Sequence, residues 1–178
     1  MRFYYLNYLV KVKFKEKFME IRIATMADLK KILLIYEKAR EFMRNTNNPN
    51  QWGINRPEYE SVVTDIKHKR MYTIIDEKEI IGVFSLYDYD KDYEQLEEKW
   101  LNNEPYVAIH KIASSGKKGG IFNTALEFAK TKSNNIRIDT HKFNKIMQLN
   151  IKRNGFKYIG IVYIEGKYER LAYHLVIK

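Results

Sequence analysis

A strand that runs into a glycine-rich turn and directly on into a helix dominates the middle of this chain. Residues 106–114, YVAIHKIAS, read as a strand, SGKKGG follows, and residues 120–131 carry Ile121, Ala125, Leu126, Phe128 and Ala129 at helical spacing. A turn of this kind leaves backbone N–H groups free at the positive end of a helix dipole, which makes an anion site suited to a pyrophosphate. Glycines 116, 119 and 120 let such a group approach the backbone, and Lys117 and Lys118 add positive charge. The competing reading is an ordinary β-turn-α connection, many of which carry glycine.

The rest of the chain frames this unit. EIRIAT from Glu20 alternates as a strand; Leu29, Ile32, Leu33, Tyr36, Ala39 and Met43 then recur as one face of a helix, with Thr25 and Asp28 spaced as a capping box. NTNNPNQWGINRP is a loop and 58–70 a second helix. Residues 71–76 and 79–89 form a hairpin, and the acidic stretch after it is a loop with a short helix. IRIDTH at 136–141 is a strand, 144–153 a short helix stopped by Gly155, and YIGIVYI and RLAYHLVIK are two final strands. The order β-α-α-β-β-β-α-β-α-β-β predicts an α/β (α+β) fold, a mixed sheet with helices on both faces.

A chain of 178 residues is long enough for one domain with a full core. The first eighteen residues stand apart: five basic residues against one acidic, a short aromatic run, and lysines after the apolar residues rather than before them, unlike a secretory signal. Residues 1–18 are expected to be an extension outside the core, and 19–178 the single domain. Cysteine is absent, which excludes disulfides and thiolate nucleophiles and fits a reducing cytoplasm. The four histidines show no metal-ligand spacing, so no metal is expected, and no apolar run is long enough to span a membrane. A net charge of +10 attracts anions, either nucleic acid or phosphate-bearing cofactors, or reflects plain lysine bias.

The element order, the glycine turn after a central strand, and the later run from Asn144 to Gly155-Phe156 together resemble the GNAT acetyltransferase family. The likeness covers about residues 20–178. EPYVAIHKIASSGKKGGIFNTALEFA, NNIRIDTHKFNKIMQLNIKRNGFKYIGIVYI and the NPNQWG loop resemble a subgroup of small bacterial members. The resemblance implies a mostly antiparallel central sheet of six to seven strands flanked by about four helices. It implies acetyl-CoA as acyl donor, its pantetheine arm paired with the strand backbone near Ile112 and Ala113, in room opened by splaying from strand 136–141. Its pyrophosphate would lie on the turn at Lys117, Lys118, Gly119, Gly120 and Ile121. Lys117 stands where the family has Gln or Arg, Gly120 matches the first family glycine, and Phe122 replaces the second small residue, where it would crowd the phosphates or the helix packing. Asn144 matches the asparagine that opens the last helix near the cofactor; it also reads as a plain N-cap.

Acyl transfer from a thioester requires a deprotonated amine, a stabilised oxyanion and a leaving thiol. A lysine-like amine with pKa about 10.4 is protonated at neutral pH, so a base or a water chain helps. His110, on the central strand, is the first candidate base, against the alternative of a packed core histidine. His141 and Asp139 at the end of strand 136–141 are second choices, expected on one face of that strand. Gln51 and Trp52, on the loop that the family places beside the acceptor, are candidate substrate-binding residues, or Trp52 simply anchors the loop. The tyrosine that often protonates the leaving thiolate in this family is Ile151 here. With a thiol pKa of about 8.5, a bare thiolate at pH 7 lies roughly 2 kcal/mol above its protonated form, so losing that acid slows the reaction without abolishing it.

The expectation is a cytoplasmic N-acetyltransferase that acts on a primary amine of a small molecule or peptide, with no nucleic acid or membrane partner, and with a homodimer as the commonest assembly. A CoA-binding protein of the same fold without turnover is the alternative, and a basic nucleic-acid module ranks third because the lysines are dispersed.

Overall fold

Hydrophobic periodicity resolves into eight strands and four α-helices in the structure, a computed structural model that describes residues 10–14, 17–96 and 98–177. In chain order these are β1 (Val10–Phe14), β2 (Lys17–Ile23), α1 (Leu29–Asn45), α2 (Tyr59–Lys67), β3 (Met71–Asp76), β4 (Glu79–Tyr87), β5 (Val107–Ser114), α3 (Ile121–Lys130), β6 (Asn135–Thr140), α4 (Lys145–Arg153), β7 (Lys157–Ile164) and β8 (Tyr168–Val176). Short 3-10 turns at Met26–Asp28 and Lys91–Gln95 complete the set. The sheet order is β1-β2-β3-β4-β5-β6-β8-β7, and every pairing is antiparallel except β5 with β6.

The seven strands β2–β8 make the mostly antiparallel sheet anticipated from the sequence, and β1 adds an edge. Val10–Phe14 pair antiparallel with β2, Val10 opposite Ile21. That part of the segment set apart in the sequence is therefore hydrogen-bonded to the sheet, while 1–9 and 15–16 lie outside the described residues.

Helices cover both faces. α3 and α4 bury Ile121, Leu126, Phe128 and Ile151 against Met19, Ile74, Phe84, Ile109 and Ile138. α1 and α2 bury Ile32, Ile35, Tyr36, Val62 and Ile66 against Met71, Val83 and Ala113. Each of these large apolar side chains contributes about 1.5–3 kcal/mol by leaving water. The entry to α1 is fixed by the capping box expected from Thr25 and Asp28. The Asp28 carboxylate takes two bonds from Arg22, at 2.7 and 2.8 Å, and one from Thr25 N at 2.8 Å. Those Arg22 bonds, with the Thr25 donors, hold its pKa down at about 2 against the opposing effect of burial.

Two local features place the site. β5 and β6 pair only at Val107–Ile136 and Ala108–Arg137, after which β6 continues against β8 and β5 does not follow it. Upstream, the β4–β5 ladder slips: Ser85 faces His110 but Val83 faces Ala113, so Lys111 and Ile112 together oppose Phe84 in a β-bulge.

Candidate functional site

Beyond Ala108, the edge of β5 that would face β6 carries no strand partner, and a groove opens there. The groove has a volume of about 810 Å³, with residues 112–116 and 118–120 along its floor and α1 and α4 as walls. Gly120 sits at φ 90°, left-handed backbone suited to glycine, and forms the N-cap of α3. The first bond of the helix runs from Thr124 N to Gly120 O at 2.9 Å, so the N–H groups of 121–123 precede it at the positive end of the dipole. A Cβ added to Gly119 would meet nothing within 4 Å, which leaves the turn open on its outer side.

Phe122 follows this turn and lines the groove beside it. Its side chain is buried, 7% exposed, in the core between α3 and the sheet. The two lysines behave differently from the expectation of free positive charge. Lys117 Nζ binds both Glu79 oxygens at 2.7 Å and Lys118 Nζ binds Asp76 Oδ2 at 2.7 Å, so both are tied to carboxylates of the β3–β4 hairpin. Lys38 of α1 is a further cation on the groove wall, which the sequence reading did not single out.

A second cavity, about 520 Å³, adjoins the groove and shares Met43, Ile112, Asn144 and Met147 with it. His110, Asp90 and Asp139 lie at its base. His110 Nε2 is 3.0 Å from Asp90 Oδ2, near in distance but not aligned as a hydrogen bond, and Nδ1 is 3.7 Å from Asp139 Oδ2. Tyr93 donates its hydroxyl to the same Asp139 oxygen at 2.9 Å, and the Asp92 N–H donates to Asp90 Oδ1 at 2.9 Å. Burial on its own would depress the His110 pKa, but Asp90 and Asp139 outweigh it and raise the value above 6.5. Burial raises Asp139 above the usual carboxylate range. Burial also opposes the charge of Asp90, yet His110 and the Asp92 N–H hold its pKa below the ordinary value.

Gln51 and Trp52 both line this cavity. Gln51 Oε1 accepts from Asn48 Nδ2 and from Asn144 Nδ2, each at 2.8 Å, and Gln51 O accepts from Arg170 at 2.9 Å. Asn144 also caps α4, its Oδ1 accepting from Met147 N at 3.1 Å. Trp52 packs edge-on against Tyr36, ring centroids 5.5 Å apart, so it anchors the loop while presenting a face to the cavity. Arg56, bonded to both Glu165 oxygens at 2.9 and 2.8 Å, joins the same loop to the β7–β8 turn.

His141 is not with them. β6 ends at Thr140, so the strand alternation expected to place His141 beside Asp139 has stopped; its Nδ1 accepts from Phe143 N at 3.3 Å in the turn into α4. Ile151 is wholly buried in the core, and no tyrosine lines the groove among the described residues. The sequence reading missed Asp90, Tyr93 and Arg170, which reach His110 and Asp139 from the 3-10 turn and β8, and missed the buried Asp65–Lys111 pair beside them. The acidic run DYDKD was the available signal for Asp90. Among the described residues, no cluster of three or more His, Asp or Glu could hold a metal, and no helix is long and apolar enough to cross a membrane.

No protein-family profile and no curated protein matches the sequence. Solved structures do match the fold. A GNAT-family acetyltransferase from Streptococcus agalactiae is 27% identical, with a TM-score of 0.79 over 90% of this chain and 96% of its own. An acetyltransferase from Staphylococcus aureus is 25% identical, with a TM-score of 0.65 over 89% and 99%. Mycobacterium smegmatis RimJ, solved in complex with CoA-disulfide, is 16% identical, with a TM-score of 0.57 over 94% and 86%. The chain has the fold of the small single-domain GNAT acetyltransferases.

Proposed function

We propose that this chain is an N-acetyltransferase that moves an acetyl group from acetyl-CoA to a primary amine of a small molecule or peptide. One observation carries the reading: a groove along the unpaired edge of β5 meets a second cavity, floored by two carboxylates and a histidine, at Ile112, Asn144 and Met147.

The groove fits the donor. Its floor is the edge of β5 that has no partner on the β6 side, its far end is the open Gly119–Gly120 turn at the start of α3, and its walls are mainly apolar side chains of α1 and α4. Ile112 and Ala113 would pair with the pantetheine amides, residues 119–123 would receive the pyrophosphate, and Lys38 would add charge at the wall. When bound, acetyl-CoA supplies an acyl group activated as a thioester.

The chain's own groups do the rest. Asp90 and Asp139 draw the acceptor ammonium into the second cavity. His110, between them, takes the proton that the amine must lose, and the flanking carboxylates stabilise the imidazolium that results. The Tyr93 hydroxyl holds Asp139 in place. A β5 backbone N–H near Ile112 polarises the acyl carbonyl. The thiol leaves as a bare thiolate, roughly 2 kcal/mol above its protonated form at pH 7 for a thiol pKa of about 8.5, and solvent then protonates it.

Thiol release from acetyl-CoA, measured over a panel of amines, amino acids and peptides, tests this reading; turnover with at least one acceptor that falls in His110→Gln is expected. The groove lining holds no tyrosine among the described residues, which favours a second reading, a CoA-binding protein without turnover. Tight CoA binding with silence across the panel would support that reading instead.

A further inference from the structure

β5 carries both halves of the site, and its bulge decides which residues face which half. Val107 and Ile109 point into the core under α3, so strict alternation would send Lys111 and Ala113 there too and turn Ile112 away. The opposite is found. Ile112 packs against that core, Ala113 joins the α1–α2 cluster beside Val83, and Lys111 points toward α2. Lys111 has φ 52°, a left-handed conformation that strains a residue with a side chain.

Two sets of bonds hold it there. Tyr36, fully buried in α1, donates its hydroxyl to Lys111 O at 2.9 Å. Lys111 Nζ donates to Asp65 Oδ2 and Ser61 Oγ, both at 2.6 Å, and lies 3.0 Å from the Tyr87 hydroxyl. Asp65, 2% exposed, also accepts from Ser85 Oγ and the Tyr87 hydroxyl, each at 2.7 Å. Ser85 is the β4 residue that faces His110 across the ladder, so the network grips both strands where the register slips.

We propose that Asp65 and Lys111 form a buried positioning pair that holds the β5 bulge, directing His110 into the acceptor cavity and the Ile112–Ala113 backbone into the donor groove. Lys111 also lines the second cavity and Asp65 does not; the pair acts through the backbone of Lys111, which lies between His110 and Ile112. The functional half of this inference rests on the acetyltransferase reading, and the structural half does not.

Lys111→Met removes the charge, and the double variant Asp65→Asn with Lys111→Met removes both charges without leaving a lone buried carboxylate. Three measurements are made on the full chain: amide hydrogen exchange across 109–114, CoA affinity by calorimetry, and kcat and KM with the best acceptor. The double variant is expected to keep cooperative thermal unfolding, exchange at least tenfold faster across 109–114, bind CoA at least fivefold more weakly, and lose kcat by at least tenfold. A merely structural pair would lower Tm and leave the CoA affinity and kcat of the folded fraction unchanged. A folded double variant with wild-type exchange, affinity and kcat overturns the proposal, and so does one in which Tm alone falls. If wild-type protein binds no CoA and turns over nothing, the acetyltransferase reading fails, and the exchange measurement alone decides for or against the pair.

Discussion

The side-chain carbonyl of Gln51 accepts a hydrogen bond from Asn144 Nδ2 at 2.8 Å, joining the loop after α1 to the N-cap of α4. Asn144 lines both the groove and the cavity, so this one bond ties the loop after α1 to the junction of the two. Gln51→Ala removes the shared acceptor for Asn48 and Asn144. It should cost about 0.5–1.5 kcal/mol in thermal or denaturant unfolding per lost bond. The KM for acceptor should rise more than the KM for acetyl-CoA; equal changes in the two would remove Gln51 from the acceptor side.

The raised pKa of His110 sets the sign of the pH response. The folded protein holds the imidazole proton through a window that begins at 6.5, so kcat/KM should climb as pH rises through the raised value and the base becomes free. Stability runs the other way. The folded state binds the proton more tightly than the unfolded chain, so the contribution is complete below 6.5 and is lost as pH rises through the folded value. Asp90→Asn should move the kinetic limb to lower pH. A limb that stays in place in Asp90→Asn, or that survives in His110→Gln, would exclude His110 as the base.

Gly119 and Gly120 are neighbours with different physical demands. A side chain on Gly120 would be strained at φ 90° by roughly 1–2 kcal/mol, whereas a Cβ on Gly119 meets nothing within 4 Å. Gly120→Val should lower both Tm and CoA affinity, the latter by more than tenfold. Gly119→Ala should leave the unfolding free energy within about 0.5 kcal/mol of wild type, so any loss of CoA affinity there reports the approach of phosphate to the turn.

Ile151 is a core residue and not a vacant catalytic position. Ile151→Tyr should overpack the core by about 1–3 kcal/mol without raising thiol release, and Ile151→Ala should cost about 2–5 kcal/mol. Thiol release that improves in a fully stable Ile151→Tyr would instead place this side chain at the groove. Chemical denaturation and the thiol assay together check both outcomes.

Local signals made the fold readable. Capping at Thr25 and Asp28, the hairpin turn at Asp76–Glu79, the glycine turn and the period of each strand depend on residues close in sequence. The floor of the groove was readable for the same reason, since one strand and one turn build it, while its walls come from α1, α3 and α4. The second cavity was not. Asp90, Tyr93 and Arg170 come from separate elements, and their approach to His110 and Asp139 depends on how the 3-10 turn and β8 pack. The bulge at Lys111 was hidden because VAIHKIAS scans as an unbroken strand; only the buried Asp65, 46 residues earlier, explains the turned lysine. His141 was misplaced because alternation was carried one residue past the end of β6. Lys117 and Lys118 looked free because their partners, Glu79 and Asp76, lie across the sheet in the β3–β4 hairpin.

Titration calorimetry of the wild-type chain with acetyl-CoA tests the central claim most directly. Saturable one-to-one binding, with a dissociation constant in the range of about 1 μM–1 mM common for enzyme substrates and weakened in Gly120→Val, is the predicted result. No heat of binding at millimolar acetyl-CoA, from protein that unfolds cooperatively, would contradict it.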